Sequence, residues 1–273
     1  MRDRSKIWVA FSTDGDHTWS EPRFAFSITL AETLNSPLKN HGCSYLDAFV
    51  DVINRADESP FFLIYAPHDP HNPWNYGNPD KYNPDAVEIP AYLIDCPETR
   101  AQIIRYYAEI TYMDWQFGQL LDYLDKEGLT DNTIVIFTSE QGSSFPFAEW
   151  TCYDNGLKTY FIMRWPGHIK PGTRNAALTQ YVDVIPTLFE AVGVRPEKIN
   201  TGISDAEGYT GFDGKSFLKV LSGKKRHRKY VYGVYATRGI ISGSEAYPIR
   251  SIRSRKYKYI INMNHEVPFS NNL

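Results

Sequence analysis

Three short stretches carry side chains of types that do chemistry, each at the end or start of an apolar run. His68 and His71 lie in HDPH, after PFFLIYA. Glu140 and Gln141 lie in SEQG, after TIVIF, while Glu149 lies in AEWTCYDNG and Lys158 just after it, ahead of YFIMRWPG. A carboxylate and an amide at a strand end offer hard oxygen donors to a divalent cation. The alternative for that triplet is a solvated turn in which Gly142 supplies the bend. Histidines titrate near neutrality and can stabilise or protonate a leaving group; the alternative for this pair is a hydrogen-bonded loop.

Groups of this kind need a frame. Ile134 to Phe137 read as a short strand, apolar on both faces as in a parallel sheet, and open α/β sheets collect functional groups at the carboxyl ends of their strands. A long helix is expected from near Glu98: Ile103, Ile104, Tyr107, Ile110, Met113, Phe117, Leu120, Leu121 and Leu124 recur at helical spacing. Pro97 stands at its start and Gly128 at its stop. PFFLIYA and YFIMRWPG read as buried strands, and YVDVIPTLFEAVGV as a helix whose first part, before Pro186, is a separate turn. KYVYGVY and RSRKYKYIINMN read as carboxyl-terminal strands. The expected fold is α/β: a mostly parallel sheet flanked by helices, a small antiparallel carboxyl-terminal sheet, and a short all-β amino-terminal piece. The expected divisions are 1–52, 58–195 and 196–273.

Composition narrows the function classes. The 273 residues are 42% hydrophobic and 22% charged, with a net charge of -3. That balance argues against nucleic acid as a partner, since phosphate binding calls for basic excess. The basic run KKRHRK (residues 224–229) reads as a solvated loop, with an anionic polysaccharide as the other partner it could meet. No apolar stretch is long enough to span a bilayer, and the first apolar run stops too soon for a signal peptide. Cys43, Cys96 and Cys152 are odd in number and widely spaced, which gives no disulfide framework. CPETR, residues 96–100, is not a Cys-x-Pro-x-Arg motif, because its proline comes one place early.

Together FFLIYAPHDPHNP, the long helix running into TIVIFTS, YFIMRWPGHIKPGT and YVDVIPTLFEAVGV resemble, in order, the motifs of the sulfatase family, the formylglycine enzymes of the alkaline phosphatase superfamily. The likeness covers residues 58–273, and AYPIRSIRSRKYKYIINMNHEVPF is most similar to the carboxyl end of the heparan N-sulfatase (sulfamidase) branch. The resemblance implies hydrolysis of a sulfuric ester or N-sulfate on glycosaminoglycan-type sugars, an aldehyde-hydrate nucleophile, and Ca2+. It places His68 and His71 at the leaving group, Glu140 and Gln141 at the family's metal-binding Asp and Asn, and Arg250 at an anionic substrate, or else at the surface. It also implies export.

Two departures stand out. Between Met1 and Ser59 nothing matches the nucleophile motif or the paired Asp ligands, so the formylglycine is expected to be absent and activity impaired. Glu149 stands where many members carry a sulfate-binding lysine, which reverses the sign of roughly 4 kcal/mol for a pair at ~4 Å and an effective dielectric of ~20. Lys158 is the nearby cation that could substitute. STDGDHTW, residues 12–19, resembles the Asp-box of sialidase propellers, which suggests a propeller fragment joined to a sulfatase near residues 51–58. The rival readings are a non-catalytic sulfated-glycan-binding remnant and a phosphohydrolase of the same superfamily.

Overall fold

The structure is a computed structural model. It describes residues 60–65, 67, 69–236 and 247–269, and the backbone of strands β1 (Lys6–Val9) and β2 (Arg23–Ser27). The Asp-box-like segment, Cys43 and His68 lie outside the described residues. β1 and β2 pair antiparallel, with a register irregularity between Ile7 and Trp8. The chain divides into two compact units, residues 1–130 and 131–273.

In the first unit the expected long helix is present as α1, Pro97–Lys126. Pro97 occupies the first helical position, where a missing N–H costs nothing, and the extended backbone of Cys96 precedes it. Gly128, at φ 68°, closes the other end. Its N–H bonds Asp125 O at 3.1 Å and Leu129 N–H bonds Leu124 O at 2.9 Å, the paired bonds that satisfy the last carbonyls of a helix. Ile103, Ile104, Ala108, Leu120 and Leu124 are buried, and Glu109 and Gln116 are buried with them. PFFLIYA corrects its expectation. Residues 60–65 form no ladder with any described segment, and Ile64 is 53% exposed. Apolarity marks a segment that wants cover, but it does not supply the neighbouring strand that a ladder requires.

In the second unit β3 (Val135–Thr138) and β4 (Phe161–Arg164) pair antiparallel, Val135 opposite Arg164 and Thr138 opposite Phe161. The parallel arrangement expected for this strand does not hold for the pair. The link between them contains a single short helix, α2 (Asp154–Leu157), and turns back on itself, whereas parallel neighbours need a crossover that returns the chain to the starting end. After a turn at Tyr181–Asp183 comes α3, Val184–Ala191, so the helix and separate turn expected around Pro186 are both present. Pro186 falls in the first turn of α3, where its missing N–H has no intrahelical partner to lose. Gly193 (φ 83°) ends α3 as Gly128 ends α1, with Val194 N–H on Phe189 O at 2.9 Å.

A short helix, α4 (Leu218–Leu221), leads to an antiparallel sheet in the order β5 (Val231–Tyr235), β6 (Ile249–Arg253), β7 (Lys258–Asn262). The expected carboxyl-terminal sheet is there, with one correction. RSRKYKYIINMN is not one strand but the end of β6, a turn closed by Ser254 N–H on Tyr257 O at 2.8 Å, and β7. Cys152, Tyr235, Tyr247 and Ile249 form the buried cluster beside this sheet, with Trp150 and Ile260 packed against it.

Candidate functional site

The histidine loop belongs to the first unit. Its shape is set by a side chain that the apolar pattern gives no reason to suspect. Glu109, fully buried on α1, accepts three main-chain N–H bonds from the loop: His71 N on Oε2 at 3.1 Å, and Asn75 N and Tyr76 N on Oε1 at 2.8 and 3.2 Å. Burial pushes the Glu109 carboxyl above the usual range. The N–H groups of Asn75, Tyr76 and His71 pull the other way, and the nearby Asp69 charge adds to the rise. Aromatic contacts complete the seat. Tyr76 stacks on Tyr112 with ring centres 5.4 Å apart, and Trp74 meets Tyr106 edge-on at 5.4 Å. The Asp69–Pro70 and Asn72–Pro73 bonds are cis.

His71 itself is exposed, with Nδ1 2.6 Å from the Asn72 carbonyl oxygen. A carbonyl only accepts, so Nδ1 carries the proton and neutral His71 has its lone pair on Nε2. That tautomer can take a proton at Nε2, and the imidazolium so formed can give it up again.

The oxygen donors of SEQG belong to the second unit, at the end of β3. Thr138 Oγ1 donates to Tyr160 O at 2.6 Å, and the Tyr181 hydroxyl donates to Ser139 O. Gly142 then turns the chain against residues 155 and 156. Its N–H bonds Gly156 O at 3.0 Å, and a Cβ added there would lie 1.8 Å from Asn155 O, so only glycine fits.

Glu140 is exposed. Gln141 is held by Glu149: its Nε2 donates to Glu149 Oε1 at 2.6 Å, while Ser144 Oγ donates to Oε2 at 2.7 Å. Fixing the amide nitrogen fixes where the amide oxygen points. Glu149 N–H in turn bonds Ser143 O at 2.9 Å, and two non-glycine residues in left-handed conformation, Phe147 and Trp150 (both φ 64°), flank the turn that carries it.

The rest of this segment is anchored to the carboxyl-terminal sheet. Asp154 at the start of α2 takes Lys258 Nζ at 2.9 Å and Arg253 Nη1. Burial raises its carboxyl, but Lys258 and Arg253 outweigh that and hold it below the ordinary value. Leu157 packs on Gly233 of β5, where an added Cβ would lie 2.3 Å from Leu157 Cδ1. Lys158 is exposed at the end of α2. Arg250, also exposed, gives one nitrogen to Tyr235 O and Ile249 O at 3.1 and 3.0 Å, leaving the rest of its guanidinium to face outward.

Ca2+ can be tested against these donors. Glu140 and the Gln141 oxygen suit a hard cation in kind, but the ion takes six to eight oxygens. Among the described residues no group of three or more His, Cys, Asp or Glu side chains gathers to hold a metal. Two donors do not make that cage.

Within the second unit the structure joins Gln141 and Glu149; it leaves Lys158 and Arg250 without a bond to either. Ser144 and Asp154 escaped the sequence reading, as did a third group, the buried Asp183. That carboxylate takes Arg228 through Nε at 2.7 Å and through Nη2, along with Gln180 N at 3.0 Å, Lys215 N at 2.9 Å and His227 Nε2 at 3.2 Å. The basic run is therefore only partly a solvated loop: His227 and Arg228 turn inward onto Asp183.

The sulfatase family model matches residues 12–194, a span that takes in the whole Asp-box-like segment, and the model for the N-sulphoglucosamine sulphohydrolase carboxyl-terminal region matches residues 146–268. An ulvan-active sulfatase of Formosa agariphila is 34% identical over 80% of this chain and 41% of its own length. The N-sulphoglucosamine sulphohydrolase of Homo sapiens is 26% identical over 78% of this chain and 46% of its own.

Among solved structures, one determined with its substrate D-glucosamine-2-N,6-O-disulfate is 27% identical with a TM-score of 0.50, over 62% of this chain and 34% of that one. The Bacteroides fragilis protein yidJ, at 23% identity, shares the fold with a TM-score of 0.60 over 80% of this chain and 48% of that one. The chain thus spans less than half the length of these relatives. With a family model matched across more than half of its residues, the chain belongs to the sulfatase family.

Proposed function

We propose that this chain is the carboxyl-proximal part of a sulfatase that removes sulfate, as an ester or an N-sulfate, from sugar units of sulfated glycans. Family membership carries the reaction class. The named relatives support the substrate class: one is ulvan-active, one is an N-sulphoglucosamine sulphohydrolase, and one was solved with a disulfated glucosamine. In this reading His68 and His71 serve the leaving group. In its imidazolium form His71 gives the Nε2 proton to the departing sugar oxygen or nitrogen as the bond to sulfur breaks, and is left as the neutral Nδ1–H tautomer. Glu140 and Gln141 stand where the family carries a metal-binding pair, but by themselves they are two oxygen donors and not a Ca2+ cage. Arg250 and Lys158 present cations to an anionic glycan. Glu149 acts on the sugar only indirectly, by aiming Gln141. The expected divisions 58–195 and 196–273 remain part of this reading.

One observation favours a second reading, glycan binding without turnover. A carboxylate, Glu149, stands where sulfate binding in many members uses a lysine, and it is committed to Gln141 and Ser144.

The test is sulfate release. The purified full chain is incubated with glucosamine N-sulfate, glucosamine 6-sulfate and ulvan oligosaccharides, and free sulfate is measured by ion chromatography beside His71→Ala. Release above that control supports the hydrolase. Retention of heparin fragments on the chain with no release supports the binder.

A further inference from the structure

The buried carboxylate of Glu109 has no place in the chemistry above, and its surroundings are unusual for a buried acid. Its hydrogen-bond partners on the loop are all main-chain N–H groups, and those groups belong to the segment that carries His71. The two oxygens divide the work: Oε2 takes His71 alone, while Oε1 takes Asn75 and Tyr76. We propose that Glu109 is a positioning residue, which fixes the direction of the His71 side chain by holding the His71 main chain against α1. A loop residue has two backbone torsions and a side chain to order. Tying its N–H to a rigid 30-residue helix removes much of that freedom before any sugar arrives. The stacked Tyr76 and Tyr112 hold the far end of the same loop, so His71 lies on a span pinned at both sides.

The clamp stands on geometry alone; its value to catalysis rests on the sulfatase reading. The two are separated by Glu109→Gln, which keeps shape and size. The amide retains one oxygen and gains one NH2 group. It keeps two bonds by leaving its oxygen on Asn75 and Tyr76, and then sets a donor against the His71 N–H. Amide hydrogen exchange at single-residue resolution on the folded full chain reads this directly. In Glu109→Gln the His71 amide is expected to exchange about 10-fold faster or more, with Asn75 and Tyr76 near wild type. In Glu109→Ala all three are expected to quicken.

A general loss of packing would not single out His71 in the Gln variant. Wild-type exchange at His71 in a folded Glu109→Gln variant overturns the proposal, as does equal quickening of all three amides there. Should Glu109→Ala fail to fold, Glu109→Gln decides by itself. Where the chain turns over a sulfated sugar, Glu109→Gln is expected to lower kcat about 10-fold with KM within about 2-fold. Selective quickening at His71 in a chain that releases no sulfate retains the clamp and removes the hydrolase reading.

Discussion

Each unit has a fully buried carboxylate, and the two are held by opposite means. Glu109 in the first unit is surrounded by main-chain dipoles and faces the charge of Asp69, and burial pushes its carboxyl up. Asp183 in the second is buried as deeply. Burial pushes it up as well, but the Arg228 guanidinium and the N–H groups of Lys215 and Gln180 win, and it rests below its ordinary value. Burial is common to both, so burial does not decide the charge state. A cation within reach does. Asp183, held charged by Arg228, welds the 181–183 turn to residues 215, 227 and 228. Glu109 is an ion kept only by dipoles, and so the more easily protonated of the two.

The largest effect expected from breaking this contrast is at Asp183. Asp183→Asn leaves Arg228 without its counter-charge inside the second unit, and a cost of about 3–5 kcal/mol is expected in denaturant unfolding followed by probes in residues 131–273. Glu109→Gln removes one bond and opposes two donors. It should cost the first unit about 1–3 kcal/mol by the same measurement.

pH sharpens the comparison, because the signs differ. The raised Glu109 stabilises fully below its unfolded value near ~4.3, and that contribution is lost as pH rises through the folded pKa. The lowered Asp183 stabilises above its unfolded value near ~3.9, and that contribution is lost as pH falls through the folded pKa. Thermal melts across pH should therefore show Asp183→Asn flattening the acid limb and Glu109→Gln flattening the limb above it. The same flattening in both variants would break the distinction. The smallest effect is at Asp154, whose side chain is 43% exposed between Arg253 and Lys258. Asp154→Asn should cost ~1 kcal/mol or less, and less again in high salt.

Much of this fold was legible. α1 announced itself through helical spacing, Pro97 and Gly128, because those signals are local. The turn before Pro186 and the carboxyl-terminal sheet followed from equally local patterns. Pairing was not legible: nothing in TIVIF says which strand lies beside it or in which direction. Nor were the two buried acids. An acid inside a helix reads as a solvent-facing position, and only the loop folded over α1 turns Glu109 into a clamp. KKRHRK reads as surface because the partner of Arg228 lies 45 residues away. In the candidate site, the sequence offered Glu140 and Gln141 as neighbours at a strand end, but the Glu149 carboxylate aiming Gln141 depends on a turn that passes through two left-handed residues.

Cys152 sits in the core beside the carboxyl-terminal sheet, 1% exposed among Tyr235, Tyr247 and Ile249, and burial pushes its thiol up. A maleimide can reach that sulfur only while the core is open, and Cys96, half-buried ahead of α1, supplies a faster reference in the same tube. The chain thus carries its own stopwatch. The labelling rate of Cys152 times the opening of the second unit with no dye or engineered probe.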